Sequence, residues 1–429
     1  MRLAYNLALG LGLAAASPFL ALGLARGRYR HIARARLGLG RGWLPPEDWR
    51  GAIWVHALSV GEVGSARPLL EALARRFPSR PLALSLSTAQ GLALAREFIT
   101  PGREAALFIR PLDLPWAVRR LVRHLQPSLF CLVEGDIWPN WQWYLGDLGV
   151  PRLLVNGRIS PSSFRNYQRL GRLALGLWEG FERILVQSEE DYQRLRAVGV
   201  EPARLAVGGN LKFDSAPARL GPEEKKELAR RLGLAGRTLL VAGSTHPGEE
   251  EPCLEAFRRL APEHPGLALV IAPRDIARGR AVAELARRRG LRVARLSQGP
   301  APPGTEVLVL DRLGLLARTY ALARAALVGG TLIPDGGHNL LEPAAQAVPV
   351  VFGPHTFDFA EMARQILEAG GGKRIEQGGE LTRIWGDWLG DADKAQAVGR
   401  AGLAFCRAHR GAVARAVAEA ARLLGEDPA

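Results

Sequence analysis

Three carboxylates in the first third of the chain follow predicted strands and have the chemistry of a general base. Glu62 stands in the run HALSVGE, between a strand that ends at Ala57 and a predicted helix. Glu134 and Asp136 follow the strand Leu129–Val133 in the run VEGDIWPN. A carboxylate at such a position can take a proton from a substrate hydroxyl. By itself, the pattern is equally consistent with Glu62 facing its helix dipole and with one of the other two acids capping the next helix.

A glycine-rich stretch at residues 328–355 predicts a site for an anion. It reads VGGTLIPDGGHNLLEPAAQAVPVVFGPH, a strand followed by a loop with four glycines, a helix predicted from about Asn339 and a second strand. Gly336 and Gly337 let backbone N–H groups approach a phosphate closely, and the helix N-terminus adds partial positive charge. Glu342, one turn into the helix, is placed to hold ribose hydroxyls. A tight turn with a buried glutamate explains a glycine loop alone equally well.

Other polar residues of the second half are predicted to join this loop. Ser244 and Thr245 follow one strand in the run GSTHPGEE, and Arg274 ends the next strand in the run APR. Loops of this kind bind phosphate, and arginine pairs with it. Lys212, in the linker run GGNLKFD, is placed to reach an anion across a cleft. No one of these residues is diagnostic, but together they are expected to converge on one edge of one domain.

Neither a metal nor a cofactor is expected. The sequence has no Asp-x-Asp run at a strand end, no HExxH motif and no His/Cys cluster. The negative charge of a leaving group must therefore be stabilised by helix dipoles and cations. The three cysteines, at 131, 253 and 406, have no metal-ligand spacing and argue against a disulfide framework.

Alternating strands and helices position these residues. The strands are predicted at 53–57, 82–87, 106–109, 129–133, 153–155, 184–187, 239–242, 267–271, 307–310, 326–328 and 350–352. The helices are predicted at 66–75, 116–125, 189–198, 249–260, 276–289, 312–323, 362–369 and 392–424. Such alternation indicates βαβ units and parallel sheets with a ligand edge at the strand C-termini. We therefore expect an α/β fold with two Rossmann-like domains facing across a cleft, the glycosyltransferase-B (GT-B) layout.

The N-terminus and the charge point to a membrane surface. Residues 3–24 are largely apolar and are followed by a cluster of arginines, so they predict a helix that spans the bilayer or lies in its interface, with the rest of the chain on the cytoplasmic side. A buried helix with a solvated basic face is the alternative. Lys and Arg total 57 against 42 Asp and Glu, a net charge of +15, which favours an anionic partner such as a nucleotide, an acidic lipid or a nucleic acid.

Over nearly its whole length the chain resembles the 3-deoxy-D-manno-octulosonic acid (Kdo) transferases of lipopolysaccharide synthesis. The resemblance rests on ordered motifs: HALSVGE, DLPWAVRR at 113–120, VEGDIWPN, NGRIS, QSEEDYQRL at 187–195, GNLKFD, GSTHPGEE, APR, DRLGLL at 311–316, VGGTLIPDGGHNLLEP and GPHTFDF. It implies an inverting, metal-independent GT-B transferase at the inner membrane, with CMP-Kdo as donor and an anionic glycolipid, a lipid A precursor, as acceptor.

The resemblance also implies domains and residue roles. Residues 1–26 would be the membrane anchor or interfacial helix, 27–205 the acceptor domain and 206–429 the CMP-sugar domain. Glu62 resembles the catalytic base and Glu134 and Asp136 the paired acids near the acceptor. The remaining implied contacts are with the donor: Lys212, Ser244, Thr245, Arg274, Gly336, Gly337, Asn339 and Glu342.

Two alternatives stay open at this point. One is a GT-B transferase or epimerase that uses another nucleotide sugar, either another ulosonic acid or a UDP-sugar. The other is a non-catalytic basic protein that binds membrane or nucleic acid. The second alternative predicts basic residues interleaved with aromatic residues. Here the basic run is confined mainly to the N-terminal flank, and no nucleic-acid module is found. No nucleic-acid partner is therefore expected.

Overall fold

The chain divides into two compact α/β units, each with one seven-stranded sheet. The computed structural model describes residues 2–25, 30–40, 43–58, 60–99, 105–135 and 137–427. Unit 1 comprises Met1–Ser215 and Arg410–Ala429, and unit 2 comprises Ala216–His409. Every strand pair in the two sheets is parallel. The predicted α/β class with two parallel-sheet domains is therefore confirmed.

Unit 1 has the strand order β3-β2-β1-β4-β5-β6-β7. Its strands are β1 Ile53–Ala57, β2 Leu82–Leu86, β3 Ala106–Ile109, β4 Leu129–Val133, β5 Arg152–Gly157, β6 Arg183–Val186 and β7 Leu205–Val207. Its helices up to residue 215 are α1 Arg2–Ala25, α2 Arg30–Leu37, α3 Val60–Arg76, α4 Ala89–Phe98, α5 Pro115–Leu125, α6 Pro139–Asp147, α7 Pro161–Leu170, α8 Arg172–Trp178, α9 Glu189–Val198 and α10 Leu211–Asp214.

Unit 2 has the strand order β10-β11-β9-β8-β12-β13-β14. Its strands are β8 Thr238–Thr245, β9 Leu267–Pro273, β10 Val293–Arg295, β11 Val307–Val309, β12 Ala323–Val328, β13 Val350–Phe352 and β14 Gly372–Arg374. Its helices are α11 Pro222–Leu232, α12 Glu250–Leu260, α13 Gly279–Arg288, α14 Leu316–Thr319, α15 Leu341–Ala345, α16 Ala360–Glu368, α17 Leu381–Gly390 and α18 Ala392–Ala408; the last helix of the chain, α19 Ala412–Leu423, belongs to unit 1.

Burial on both faces explains why the strands are continuous apolar runs. In β1, Ile53 and Val55 point into one hydrophobic cluster and Trp54 points into the other, so each face of the sheet is covered. Parallel sheets are covered in this way because their crossover helices pack on both sides. Apolar side chains are therefore favoured on both faces of the strand instead of at alternate positions, and His56 is the buried polar residue of β1.

The strand orders place a topological switch point in each sheet. In unit 1 the order reverses between the neighbouring strands β1 and β4, and in unit 2 it reverses between β8 and β12. Loops that leave the C-terminal ends of two such strands diverge to opposite faces of the sheet, and the crevice between them is the usual ligand site of an open α/β sheet. Glu62 and Glu134 follow β1 and β4, and Glu342 follows β12, with Ser244 at the end of β8; Arg274 instead follows the next strand, β9.

The predicted domain boundary is wrong at the C-terminus. Residues 206–429 were expected to form the second domain, but 206–215 and the last helix belong to unit 1. Helix α19 places Ala412, Ala416 and Ala420 in the same cluster as β1. Small residues spaced four apart form one face of a helix and allow close packing, so this helix has a partner surface in unit 1.

Two predicted helices are also corrected. In the segment 312–323, α14 begins only at Leu316, because Gly314 has φ of +78°, a left-handed conformation that a regular helix excludes, and residues 320–322 form a 3-10 helix. The segment 392–424 is two helices, since Gly411 between them has φ of +99°.

Helix α1 forms as predicted, and its first turns contact other helices and loops of unit 1. Arg2 pairs with Asp147 at 2.8 Å, Tyr5 donates to Asp113 at 2.9 Å, and Asn6 exchanges amide hydrogen bonds with Asn140. Of the helices in the described part of the chain, none is long and apolar enough to cross a membrane. Membrane association of this segment stays a prediction.

Candidate functional site

Glu62 lies at the switch point of unit 1, in the first turn of α3. Its side chain is 8% exposed, and one carboxylate oxygen accepts the backbone N–H of Leu58 at 2.6 Å. This hydrogen bond ties the carboxylate to the loop that follows β1 and fixes its direction. Glu62 therefore lies at a helix N-terminus, as the alternative interpretation predicted. This position is compatible with a role as base, because the side chain keeps a small exposed surface at the ligand edge.

Glu134 follows β4, the strand that pairs with β1, and lies in a network of polar side chains. Its carboxylate accepts the Asn156 amide at 3.2 Å, and the Asn156 side-chain oxygen accepts the Leu211 N–H at 2.9 Å. Burial raises the pKa of Glu134, while the charges of Lys212 and Arg158 oppose that rise. An acid of this kind holds its proton more readily than an exposed glutamate, which suits it to hydrogen bonding with hydroxyl groups.

The backbone at this network is strained. Glu134 and Asn156 have φ of +70° and +59°, which are uncommon values for residues with a side chain. Such conformations persist where the surrounding structure enforces them, and they are common at functional sites.

The predictions for Asp136 and Lys212 have different outcomes. Asp136 lies outside the described residues. Lys212 was expected to join the glycine-loop site, but it lies in α10 of unit 1, where its charge acts on Glu134. The expected convergence of all the anion-binding residues on one domain is therefore wrong for Lys212.

The unit 2 site is a pocket of about 220 Å³ beside β8 and β9. Ser244, Arg274 and Glu342 all line it, as their predicted common site requires. Ser244 has φ of +54°, another strained position at a strand end. Arg312 adds a second guanidinium, and the turn at Leu313 and Gly314 forms part of the wall. The pocket combines two cations, a hydroxyl and a carboxyl group, the groups that recognise a phosphorylated nucleoside.

Glu342 has an unusual titration in this pocket. It is the second residue of α15, which begins two residues later than predicted, and the side-chain oxygen of Asn339 accepts the Leu341 N–H at 3.0 Å. Burial raises the pKa of Glu342 to about 7, and the Arg274 charge opposes the rise. The carboxyl group is thus partly protonated near neutral pH and can donate as well as accept a hydrogen bond.

Gly336 and Gly337 shape the loop that precedes this helix. Their φ values are +104° and +88°, which a residue with a side chain adopts only with strain. A Cβ on Gly336 would lie 2.5 Å from the Asp358 carboxylate. Glycine is therefore needed at Gly336 for both the backbone and the space, whatever the loop binds.

Thr245 has a structural contact instead of the predicted ligand contact. It is fully buried, and its hydroxyl donates to Glu250 at 2.9 Å. Glu250 in turn pairs with Arg278 at 2.8 Å. The hydroxyl is thus directed to the interior of unit 2, and the prediction that Thr245 contacts a phosphate or sugar carboxylate has no support in this geometry.

Glu249 holds the two loops of the unit 2 switch point together, a role that the motif alone did not reveal. Its buried carboxylate accepts four backbone N–H groups, from His246, Gly330, Thr331 and Leu332, at 2.7–3.0 Å. The first belongs to the loop after β8 and the other three follow β12. One side chain therefore fixes the relative position of the two loops that carry Ser244 and Glu342.

Two histidines that are 92 residues apart in sequence meet at this switch point. His246 Nε2 lies 2.9 Å from His338 Nε2, and Asp335 Oδ2 lies 3.2 Å from His246 Nε2. No histidine cluster was predicted, because nothing in the spacing of residues 246 and 338 signals contact. The strand order provides the signal, since both residues follow strands that flank one switch point.

These three side chains are the one group of potential metal ligands that come together in the described parts of the chain. The two ring centres are 5.2 Å apart and the ring planes differ by 14°. With the nitrogen atoms 2.9 Å apart, both atoms must lie on the line between the ring centres, so the rings face each other edge to edge. A tetrahedral ion instead needs ligand atoms about 3.3 Å apart with both rings turned toward one point. The observed arrangement is that of a hydrogen bond between the rings.

Comparison with known proteins gives a consistent result. A family model described as 3-deoxy-D-manno-octulosonic-acid transferase (kdotransferase) matches residues 31–215. The 3-deoxy-D-manno-octulosonic acid transferase of Bordetella pertussis is 34% identical over 90% of this chain and 90% of its own. The protein of the same name from Haemophilus influenzae is 31% identical over 86% of each chain.

A solved structure supports the fold. The S. aureus MnaA–UDP co-structure aligns with 88% of this chain and 99% of its own, with a TM-score of 0.55 and 14% identity. At that identity the likeness concerns the two-domain fold alone. With the relatives above, the resemblance seen in the motifs is confirmed, and the chain belongs to the 3-deoxy-D-manno-octulosonic acid transferase family of glycosyltransferases.

Proposed function

We propose that this chain transfers Kdo from CMP-Kdo to a lipid A precursor in lipopolysaccharide synthesis, with inversion at the sugar and without a metal. Membership of the Kdo transferase family supports the sugar and the reaction class. The assignment of the base to unit 1 and of donor binding to unit 2 rests on where the candidate residues lie. The carboxylates Glu62 and Glu134 follow β1 and β4 of unit 1, whereas Ser244, Arg274 and Glu342 line one pocket of unit 2.

In this proposal Glu62 is the general base. Its carboxylate would take the proton of the acceptor hydroxyl while that oxygen attacks the anomeric carbon of Kdo, and the bond from this carbon to the CMP phosphate oxygen breaks. The hydrogen bond from Leu58 holds the carboxylate in one direction, which favours proton transfer along one line. Glu134 and Lys212 would orient the acceptor through hydroxyl and phosphate groups.

Unit 2 would bind the CMP part of the donor. Glu342 would contact the ribose, while Arg274 and Arg312 would neutralise the phosphate as it leaves. Positive charge in the pocket can replace the metal that many glycosyl transfers use, and this is the physical support for metal independence. No cofactor beyond the donor substrate is needed for the reaction as written.

The acceptor is a lipid, so we also propose that α1 rests on an anionic membrane surface. Leu3, Leu7 and Leu11 are 74%, 59% and 73% exposed and follow one another at helical spacing on one face. Binding of the full chain to anionic phospholipid vesicles, measured by co-sedimentation, should fall at least about tenfold in the double variant Leu7→Glu, Leu11→Glu. Leu170→Glu, an exposed leucine elsewhere in unit 1, serves as the control. Unchanged binding of the double variant would contradict this role of α1.

The transfer reaction can be tested directly by product mass. Purified chain, freshly generated CMP-Kdo and a tetraacyl lipid A precursor, with EDTA present, should yield lipid that is heavier by one or more Kdo residues. Parallel reactions replace the donor by a CMP-linked ulosonic acid of another kind or by a UDP-sugar. Transfer from one of these, with none from CMP-Kdo, would contradict the proposed donor, and transfer that requires an added divalent cation would contradict metal independence.

A further inference from the structure

We infer that His246 and His338 act as one anion-binding pair, which shares a single Nε2 proton in the arrangement seen here and takes up a second when an anionic oxygen of the donor binds. The inference rests on the proposed function, because it assigns the anion to the donor, either to its phosphate or to its sugar carboxylate. It assigns a role to two residues that the reaction described above does not use.

The contact itself limits the number of protons. Two Nε2 atoms that face each other at 2.9 Å have room for one hydrogen between them, so one ring donates and the other accepts. If both nitrogen atoms carried hydrogen, the two N–H groups would point at each other and the rings would have to turn apart. Each N–H would then be able to donate to an oxygen of a bound anion.

The surroundings of His338 favour its neutral form until an anion arrives. Burial, together with the positive charges of Arg274 and His246, lowers the pKa of His338 to about 4, while the Asp335 carboxylate opposes this shift. Asp335 lies 3.2 Å from His246 Nε2 and 4.0 Å from His338 Nε2. The other carboxylate next to the pair, Glu249, accepts the backbone N–H of His246 and is occupied by the loop. A phosphate or carboxylate beside Arg274 would add the negative charge that the imidazolium form needs.

The position of the pair fits a donor ligand. His246 follows Ser244 by two residues, and the carbonyl of its neighbour Thr245 accepts the Arg274 backbone N–H at 2.9 Å, so His246 lies next to the strand ends that carry two residues of the unit 2 pocket. Both histidines are about one-fifth exposed, which leaves them accessible to a ligand. Because Glu249 fixes both loops, the pair can respond to a ligand by turning two rings and without moving the backbone.

Isothermal titration calorimetry with CMP provides the test. Binding is measured at pH 7.5, where the phosphate of CMP is almost fully ionised, in several buffers with different ionisation enthalpies. The slope of observed enthalpy against buffer enthalpy gives the number of protons taken up per CMP. Wild type should take up at least about half a proton more than His338→Gln or His246→Gln. The control His264→Gln, outside the pocket, should behave like wild type.

Two further ligands separate the contributions. Cytidine has the ribose without the phosphate, so it reports proton exchange at Glu342, and its value should be the same in wild type and in the histidine variants. Free Kdo identifies the anion: a difference between wild type and variants with Kdo but not with CMP assigns the carboxylate, and the reverse assigns the phosphate.

The outcomes distinguish this inference from the proposed function. If CMP binds and wild type and both histidine variants take up the same number of protons with CMP and with Kdo, the shared-proton pair is refuted and the donor site stands. If neither CMP nor CMP-Kdo binds the folded wild type, the donor assignment fails and the inference fails with it.

Discussion

At the scale of single residues, carboxyl groups at strand ends were predictable and their environments were not. Glu62 and Glu134 could be singled out because they follow buried strands at the ligand edge of a parallel sheet, and Glu342 because it follows the glycine loop at such an edge. The sequence could not reveal that Thr245 points inward to Glu250, since its neighbour Ser244 has the same chemistry and lines the pocket. Nor could it pair His246 with His338, because that contact depends on which strands are neighbours.

Glu342 gives a prediction about pH and stability. Its pKa is raised from 4.5 to about 7 in the folded chain, so the folded form binds a proton more tightly than the unfolded form. The free energy of unfolding of unit 2 therefore falls as pH rises from about 4.5 to about 7, by about 3 kcal/mol for this group.

Glu342→Gln removes that dependence. The stability difference between the variant and wild type, followed by thermal unfolding without ligand, should become more favourable to the variant as the pH is raised from 5 to 8. Glu263→Gln, an exposed glutamate of unit 2, is the control. A difference that stays constant over this pH range would show that Glu342 titrates normally.

At the scale of elements, eleven strands were predictable to within a few residues, whereas the edge strands β7, β10 and β14 and several helices were not. The central strands are apolar at most positions because both faces of each sheet are covered, and this signal does not depend on the rest of the fold. The predicted helix at 312–323 is wrong because Gly314 has a left-handed conformation just before α14, and the turn that contains Gly314 lines the unit 2 pocket. Helix propensity cannot detect a turn that is kept for a binding site.

Glu249 should determine the geometry of two loops at once. In Glu249→Gln the amide has one oxygen to accept hydrogen bonds, and its NH₂ group faces backbone N–H donors that it cannot satisfy. Since each unpaired buried N–H costs about 1–3 kcal/mol, unit 2 should lose at least about 3 kcal/mol of stability.

Chemical denaturation followed by circular dichroism measures this loss, with Glu263→Gln again as the exposed control. If the variant unfolds at the same denaturant concentration as wild type, the carboxylate does not hold the loops together.

The last helix, α19, is held in unit 1 in part by a cap at its N-terminus. Asp214 accepts the N–H groups of Gly411 and Val413 at 2.8 and 2.7 Å, and thereby caps α19 from a distant part of the sequence. Asp214→Ala should destabilise unit 1 by about 1–2 kcal/mol and increase amide exchange in the first turn of α19. Asp393→Ala, an exposed aspartate in the first turn of α18, should have a much smaller effect. Exchange in α19 that matches wild type would exclude the cap.

At the scale of the whole molecule, the two-domain fold could be predicted but the path of the chain could not. Two successive series of strands and helices imply two sheets, whereas the composition of residues 392–424 is uniformly helix-forming and holds no sign that its second half packs on the first unit. The membership of Lys212 in unit 1 follows from the same later boundary. Both errors come from contacts between segments that are far apart in sequence.

The assignment of the general base to unit 1 and of CMP binding to unit 2 can be tested directly with Glu62→Gln. Two quantities are measured on the same preparation: the rate of Kdo transfer from saturating CMP-Kdo to the lipid A precursor, and the Kd for CMP. Loss of a base that belongs to unit 1 should lower the rate by at least about 100-fold and leave the Kd for CMP within about twofold of wild type. A variant that transfers Kdo at the wild-type rate, or that loses CMP binding while it stays folded, would contradict the account.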